Sequence, residues 1–420
     1  VGSVRTIGDN AHSGAAPCAS QRPDALLLTG ATGFVGMEVL ARYLERTSRR
    51  IFLLVRAEDD RGAATRVADT LTSLFGSDHS YTDRVVAVCG DITHQGLGLR
   101  GERDRLAEQV TEVVHAAASI SFELGLEESR EINVEGTRRV VEFAERCHTR
   151  GGLRRLSYVS TAYVAGEHAG RFNEDDLDVG QRFRNAYEQS KFEAESLVAS
   201  RRARLPITVL RPSIVVGESD SGWTTSFNVV YWPLRAFSRG AYLALPARRD
   251  APVDVVPVDY VADAIFALSQ AASAAGVTYH LTAGSSASSV GELVELAARR
   301  FRRRAPLLIT PAVYRRVIHP LLLRTSHNRR RRQALRRSEV FFPYFATAVT
   351  YDDRRTRTAL AGAGIEPAPL AGYFDRLVEF ALEADWGRRS IPRASIAAGD
   401  PRPDGQREAR VPSPALDQDT

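Results

Sequence analysis

The chain has 420 residues, 44% of them apolar, enough to bury the core of one large domain with a smaller one beside it. Its three cysteines, Cys18, Cys89 and Cys147, are far apart and odd in number, which excludes a disulfide framework or zinc-ligand spacing and fits a reducing compartment. The formal net charge of +5 is uneven: 14 arginines and no acid lie between Arg299 and Arg337, against 42 basic and 51 acidic residues elsewhere.

Val1 to Arg22 are polar and small, with no apolar stretch of signal-peptide type, so residues 1–22 are expected to be a disordered tail. No uninterrupted apolar run approaches a membrane span, and a cytoplasmic placement is expected. Ala25-Leu26-Leu27-Leu28 then reads as a buried strand, and Met37 to Leu44 as a helix. Between them lies Thr29-Gly30-Ala31-Thr32-Gly33-Phe34-Val35-Gly36. Strand, glycine turn and helix are the context of a dinucleotide-binding fingerprint. Gly30 lets the backbone turn, Gly33 lets it approach a pyrophosphate, and Gly36 lets the helix pack close on the strand. Thr32, Phe34 and Val35 complete this candidate phosphate site at the positive end of the helix.

Further strands are expected at 50–56, 84–89, 112–117, 153–160 and 207–211, with helices filling the gaps, notably at 128–147 and 186–202. That alternation predicts an α/β fold, a doubly wound parallel sheet with ligands beyond the carboxyl ends of its strands. Arg56 ends the second strand, where an Arg suits a 2′-phosphate and an acid would suit a free ribose hydroxyl. NADPH is therefore the expected cofactor. Asp91 and Ile92 end the third strand. Asp91 is placed to accept from an adenine amino group, although an Asp there also serves as an ordinary turn residue. Ala116 and Ala117 end the fourth strand, and their small side chains leave room for the cofactor.

Lys191 is the only lysine in the chain. It stands four residues after Tyr187, so the two share a helical face one turn apart. A tyrosine phenol has a reference pKa of about 10, and a nearby ammonium and an oxidised nicotinamide are expected to lower it. Tyr187 would then exchange a proton during hydride transfer. A hydroxyl at the end of the fifth strand, Ser160 or Thr161, would face the same pocket and hold a substrate carbonyl oxygen. The two are neighbours on a strand end, so only one is expected to point inward.

An ordered set of segments now makes a resemblance specific. These are TGATGFVG at 29–36, LLVRA at 53–57, GDIT at 90–93, VVHAAASISF at 113–122 and NVEGT at 133–137. They continue with YVSTAYVAGE at 158–167, YEQSK at 187–191, LRPSIVVGES at 210–219 and VPVDYVADAI at 256–265. The chain resembles the extended short-chain dehydrogenase/reductases, and within them the fatty acyl-CoA reductase and thioester reductase branch. The likeness covers residues 26–284, with a weaker one at 341–386. It implies a Rossmann domain at 23–285 and a Thr161, Tyr187, Lys191 triad. Arg56 would hold the 2′-phosphate and Asn133 would act as a structural support. It implies reduction of an acyl thioester to an aldehyde and onward to an alcohol. No carrier or adenylation segment precedes the fingerprint, so the thioester is expected from outside, as acyl-CoA or on an acyl carrier protein. The rival expectations are an epimerase or dehydrogenase acting on a nucleotide sugar or sterol-like alcohol, and a non-catalytic NAD(P) sensor.

Aromatic and aliphatic residues crowd the stretch at about 220–250, from Trp223 to Leu245. It is expected to cap the active site, either as packing or as a wall for an acyl chain. Residues 286–389 are expected to be a helical, Arg-rich region beginning with a helix over 288–301, and 390–420 a disordered tail. Interleaved Arg and apolar residues at 299–337 suit an anionic membrane surface, an acidic carrier protein or CoA phosphates. Nothing in the sequence accompanies that charge to indicate nucleic acid, and no metal site is expected.

Overall fold

A computed structural model describes residues 4–6, 24–99, 101–227, 229–242, 244–314, 316, 320 and 348–397. The first half runs β1 (Arg5–Thr6), β2 (Ala25–Thr29), α1 (Phe34–Arg46), β3 (Arg50–Val55), α2 (Asp60–Phe75), β4 (Val85–Cys89), α3 (Arg103–Gln109) and β5 (Val110–His115). It continues with α4 (Leu126–Arg130), α5 (Gly136–Arg150), β6 (Arg155–Val159), β7 (Ala169–Phe172), α6 (Ala186–Ala199) and β8 (Ile207–Pro212). Eight strands form one sheet. Seven of them are among these, and the eighth comes from the second half. That half begins with β9 (Ile214–Val216), α7 (Tyr231–Ser238), β10 (Ala244–Pro246), β11 (Pro252–Val253), β12 (Val255–Pro257) and α8 (Val258–Gln270). After them come β13 (Thr278–Leu281), β14 (Ser288–Ser289), α9 (Val290–Arg300), β15 (Leu307–Ile309) and β16 (Ala348–Tyr351).

The sheet order is β1-β4-β3-β2-β5-β6-β8-β13, parallel at every pairing. Its central strands are apolar throughout because helices cover both faces; Leu26, Leu27 and Leu28 are fully buried. One face packs on α1, α2 and α8, the other on α3, α5 and α6. The strand order reverses beside β2, so a crevice opens at the carboxyl ends of β2 and β5.

Several boundaries differ from the sequence expectation. Residues 1–22 were expected to lack structure, yet Arg5–Thr6 pairs with Val86 and Ala87, and Val4 is buried. The reason is the otherwise open edge of β4, whose backbone offers partners to any short extended segment. The helix expected at 128–147 starts at Leu126 and runs to Arg150 through a π-helical turn, Glu131–Glu135. β13 was not anticipated; four mixed residues form a strand because β8 supplies the ladder. The tail expected from 390 is ordered through a short helix, Arg393–Ala397. Trp223, fully buried, donates its indole N–H to the Ile391 carbonyl at 2.9 Å.

The stretch at 220–250 contributes α7, which packs with α9 and the helix Leu370–Glu383 in a separate apolar cluster, and β10, which pairs with β15. The basic segment is described as far as Tyr314, with Arg316 and Pro320; the rest of 299–337 lies outside the described residues. Among the described residues no helix is long and apolar enough to cross a membrane.

Candidate active site

The site is built upward from the end of β2. Gly30 has φ +78°, and a Cβ there would lie 2.6 Å from the Ala117 nitrogen. A Cβ at Gly36 would lie 2.0 Å from the Gly30 carbonyl oxygen. Both positions require glycine, one for the turn and one for the close seat of α1. Gly33 is exposed and caps α1 without a side-chain bond. The first helical bond runs from Met37 N–H to the Gly33 carbonyl, so the N–H groups of Phe34, Val35 and Gly36 precede the ladder. An open glycine face below three such N–H groups fits a pyrophosphate.

The cofactor candidates gather around that turn. Ala116 N–H donates to the Thr29 carbonyl at 3.2 Å, and Ala117 N–H to the Thr29 hydroxyl at 3.3 Å. Arg56 is exposed at the end of β3. Its carbonyl accepts from Arg66, whose guanidinium also reaches the Thr32 hydroxyl at 3.5 Å. Arg66 thus adds a second cation beside the glycine turn, which no sequence motif had singled out. Asp91 closes a turn by accepting from the N–H and hydroxyl of Thr93 at 2.8 and 2.9 Å. Ile92 packs under Gly136, where a Cβ would meet it at 2.9 Å.

Beyond β6 the structure separates Ser160 from Thr161. Ser160 donates to Glu195 at 2.5 Å, within a buried cluster in which Arg211 pairs with Glu195 at 2.6 Å. Thr161 turns the other way. Its hydroxyl lies 3.5 Å from the Pro212 carbonyl and accepts from Tyr163 N–H at 3.2 Å, and it favours the ionised form of the Tyr187 phenol. Tyr187 stands in the first turn of α6, which Asn185 caps by accepting from Glu188 N–H at 3.0 Å. Phe122 meets its ring edge-on, with centroids 5.8 Å apart.

In the chain by itself burial pushes the Tyr187 phenol up to about 12, and the Thr161 hydroxyl acts in the opposite direction. The sequence expectation of a lowered value rested on Lys191 together with an oxidised nicotinamide. Lys191 is engaged elsewhere: its ammonium donates to the Val159 carbonyl at 2.9 Å and lies 4.5 Å from the centroid of the Tyr158 ring. Burial pulls Lys191 down to about 7, against the attraction of Glu195. Sequence reasoning missed Tyr158 as the platform for this cation, since nothing local links residues 33 apart.

Two buried groups tie the loops together. Asn133, in the π-helical turn, accepts from Ser119 N–H at 2.8 Å and donates to the Ser190 hydroxyl at 2.9 Å. It joins the loop after β5 to α6, in keeping with a supporting role. His115 lies 2.7 Å from the Thr29 hydroxyl and 3.1 Å from that of Thr137. Burial, aided by Lys191, lowers it to about 3, so it is neutral.

An apolar pocket, part of it open to solvent, is walled by α7, α9, β11 and β16. Tyr163 and Ile214, close in sequence to Thr161 and Pro212, begin its wall. It joins the capping stretch to residues from α9 and β16 that the sequence had not connected with the site.

A parallel sheet with a glycine turn at its switch point and a Tyr-x-x-x-Lys helix beside it defines a short-chain dehydrogenase/reductase of the extended type. The NAD-binding family described as Male sterility protein matches residues 28–265, and the chain belongs to that family, in the fatty acyl-CoA reductase and thioester reductase branch. It is 26% identical over 357 residues to probable fatty acyl-CoA reductase 5 of Arabidopsis thaliana, covering 67% of this chain and 71% of that protein. It is 30% identical over 292 residues to a glycine betaine reductase of Emericella nidulans, covering 66% of this chain and 22% of that protein. The chain thus spans a small part of some curated relatives and the larger part of others. Among solved structures, the terminal R domain of the myxalamid biosynthetic pathway superposes with a TM-score of 0.73 at 27% identity, covering 88% of this chain and 93% of that one.

Proposed function

We propose that this chain is an NADPH-dependent reductase of acyl thioesters, with Thr161, Tyr187 and Lys191 as its reacting residues. One observation carries the reading. The Thr161 hydroxyl, just past the carboxyl end of β6, acts on the Tyr187 phenol, and Tyr163, two residues on, lines an apolar pocket. Relatives named as fatty acyl-CoA reductases and the likeness to a biosynthetic R domain support the substrate class. The domain plan that goes with it is a cofactor domain at 23–285, capped at about 220–250, followed by a region at 286–389 whose described parts include α9 and the helix Leu370–Glu383.

The residues present fit the cofactor. Gly30, Gly33 and Gly36 with the first N–H groups of α1 would hold the pyrophosphate, and Arg56 and Arg66 a 2′-phosphate. Asp91, Ile92, Ala116 and Ala117 would border the adenine and nicotinamide ends, and Lys191 the ribose. When bound, NADPH supplies a hydride. The chain's own residues do the rest. Thr161 and Tyr187 donate hydrogen bonds to the thioester carbonyl oxygen and stabilise the negative charge that develops there. A phenol that burial keeps protonated is suited to give that oxygen its proton. Lys191, held by the Val159 carbonyl, supports the phenolate that remains. The resulting hemithioacetal expels the thiol of CoA or of an acyl carrier and leaves an aldehyde. A second round at the same oxygen would give the alcohol.

The test is oxidation of NADPH and of NADH by the purified chain against a panel of acyl-CoAs and acyl carrier proteins, with products identified by mass spectrometry. Thioester-dependent NADPH oxidation yielding aldehyde or alcohol is expected. No thioester-dependent turnover on any member of the panel would remove the reading.

A further inference from the structure

The apolar pocket runs away from Tyr163 and Ile214, each two residues past Thr161 or Pro212, and its far end is built unlike its near end. One face of α9 lines it with Val290, Leu293, Val294 and Ala297, spaced i, i+3, i+4, i+7. The Val290 end lies on the catalytic side. Val290 N–H donates to the Ala251 carbonyl at 2.9 Å, and Ser288 pairs with Val253. From Val253 the chain passes into β12, where Val255 pairs with Ile214, just after the Pro212 carbonyl that Thr161 reaches. Ala297 is seven residues further along α9, about 10 Å along the helix axis. There the opposite wall is Phe237 and Tyr242, and the Phe237 ring meets Phe301 at 6.1 Å.

We propose that Ala297 sets the acyl length this chain accepts, its methyl leaving open the far end of the pocket that would hold the chain remote from the thioester. The inference rests on the acyl-thioester reading above. Its neighbours at that end are large, and Ala297 is the small one that is buried yet faces the pocket. A longer side chain there projects into space that distal methylenes would fill. The methylenes near the thioester lie beside Val290 and Ile214 and are untouched.

The experiment compares the parent with Ala297→Leu and Ala297→Phe, using butyryl-, octanoyl- and palmitoyl-CoA. kcat/KM for butyryl-CoA should stay within about twofold, while that for palmitoyl-CoA should fall roughly 30-fold or more in Ala297→Phe and by less in Ala297→Leu. Binding of octanoate and palmitate, followed by tryptophan fluorescence, should show the same graded loss without any turnover. An equal fall for short and long chains, or an unchanged palmitoyl rate in folded Ala297→Phe, would overturn the proposal. If Ala297→Phe fails to fold, Ala297→Leu decides by the same ratio of long to short. A parent inactive on every acyl-CoA would count against the thioester reading, while the fatty-acid binding series would still decide the role of Ala297.

Discussion

Tyr187 is protonated at neutral pH, as a phenol is at its ordinary value of about 10, and burial, pushing it up to about 12, holds it more firmly in that form. Tyr187→Phe keeps the ring against Phe122 but removes the proton, so kcat should fall about 10²–10⁴-fold with cofactor affinity largely retained. Turnover by Tyr187→Phe near the parent rate would refute the assignment. Lys191 gives the pH dependence. With its pKa drawn down to about 7, it is a cation below that pH and neutral above it. On the proposed mechanism, support for the phenolate would be present at low pH and lost as pH rises through about 7. kcat/KM measured from about pH 6 to about pH 9 should show an alkaline limb far below the range of an ordinary lysine. The same shift has the opposite consequence for stability. The unfolded lysine keeps its proton up to 10.5, so between the two values the unfolded chain binds more protons and this group's contribution to stability rises with pH. On the proposed reading Arg56 and Arg66 would hold the 2′-phosphate of the cofactor. Arg56→Ala should weaken NADPH binding about 10-fold or more and leave NADH little changed, read by titration with each.

At the scale of elements, the position of α6 decides the site, and a buried ion pair fixes that position. Glu195 lies one turn beyond Lys191 and holds Arg211 of β8 at 2.6 Å and Ser160 at 2.5 Å, with both members of the pair almost fully buried. Arg211 also lies 3.1 Å from His280 of β13, so one cluster binds α6, β8 and β13. Glu195→Ala leaves a buried guanidinium without its counter-charge and should cost about 3–5 kcal/mol in urea unfolding. A paired replacement, Glu195→Leu with Arg211→Met, should recover much of that, because two apolar groups leave no uncompensated charge. A loss below about 1 kcal/mol for Glu195→Ala would show that solvent already relieves the pair.

Across the whole molecule, the C-terminal segment closes over the cofactor half. Arg393 reaches Glu218 at 2.6 Å and Glu38 of α1 at 3.2 Å. Glu38 is fully buried, and burial raises its carboxyl to about 7 while Arg393 and Arg42 lower it. A raised carboxyl binds its proton more tightly when folded. Its contribution to stability is therefore present below the unfolded value of 4.5 and is lost as pH rises through about 7. Arg393→Ala removes the larger of the two guanidinium influences. The variant should lose about 2 kcal/mol at about pH 8 and less at about pH 5, by denaturant titration at each. An equal loss at both would mean that packing of Ile391 and Ile396, not charge, holds the segment.

The glycine turn, the alternation of strands and helices, and the Tyr187–Lys191 spacing were legible in the sequence. Each is written in a short window by backbone geometry, and Gly30 and Gly36 have no substitute where β2 meets α1. Other features depended on distant partners. Ser160 and Thr161 are equivalent hydroxyls until α6 places Glu195 behind one and Tyr187 before the other. β1 and β13 are strands because β4 and β8 offer them a ladder. Burial, which no local window shows, raises the Tyr187 phenol, and Lys191 meets the Val159 carbonyl and the Tyr158 ring. The pocket wall is assembled from α7, α9, β11 and β16. Local chemistry writes the turns and the helix faces, whereas desolvation and the meeting of distant side chains exist only once the chain has packed.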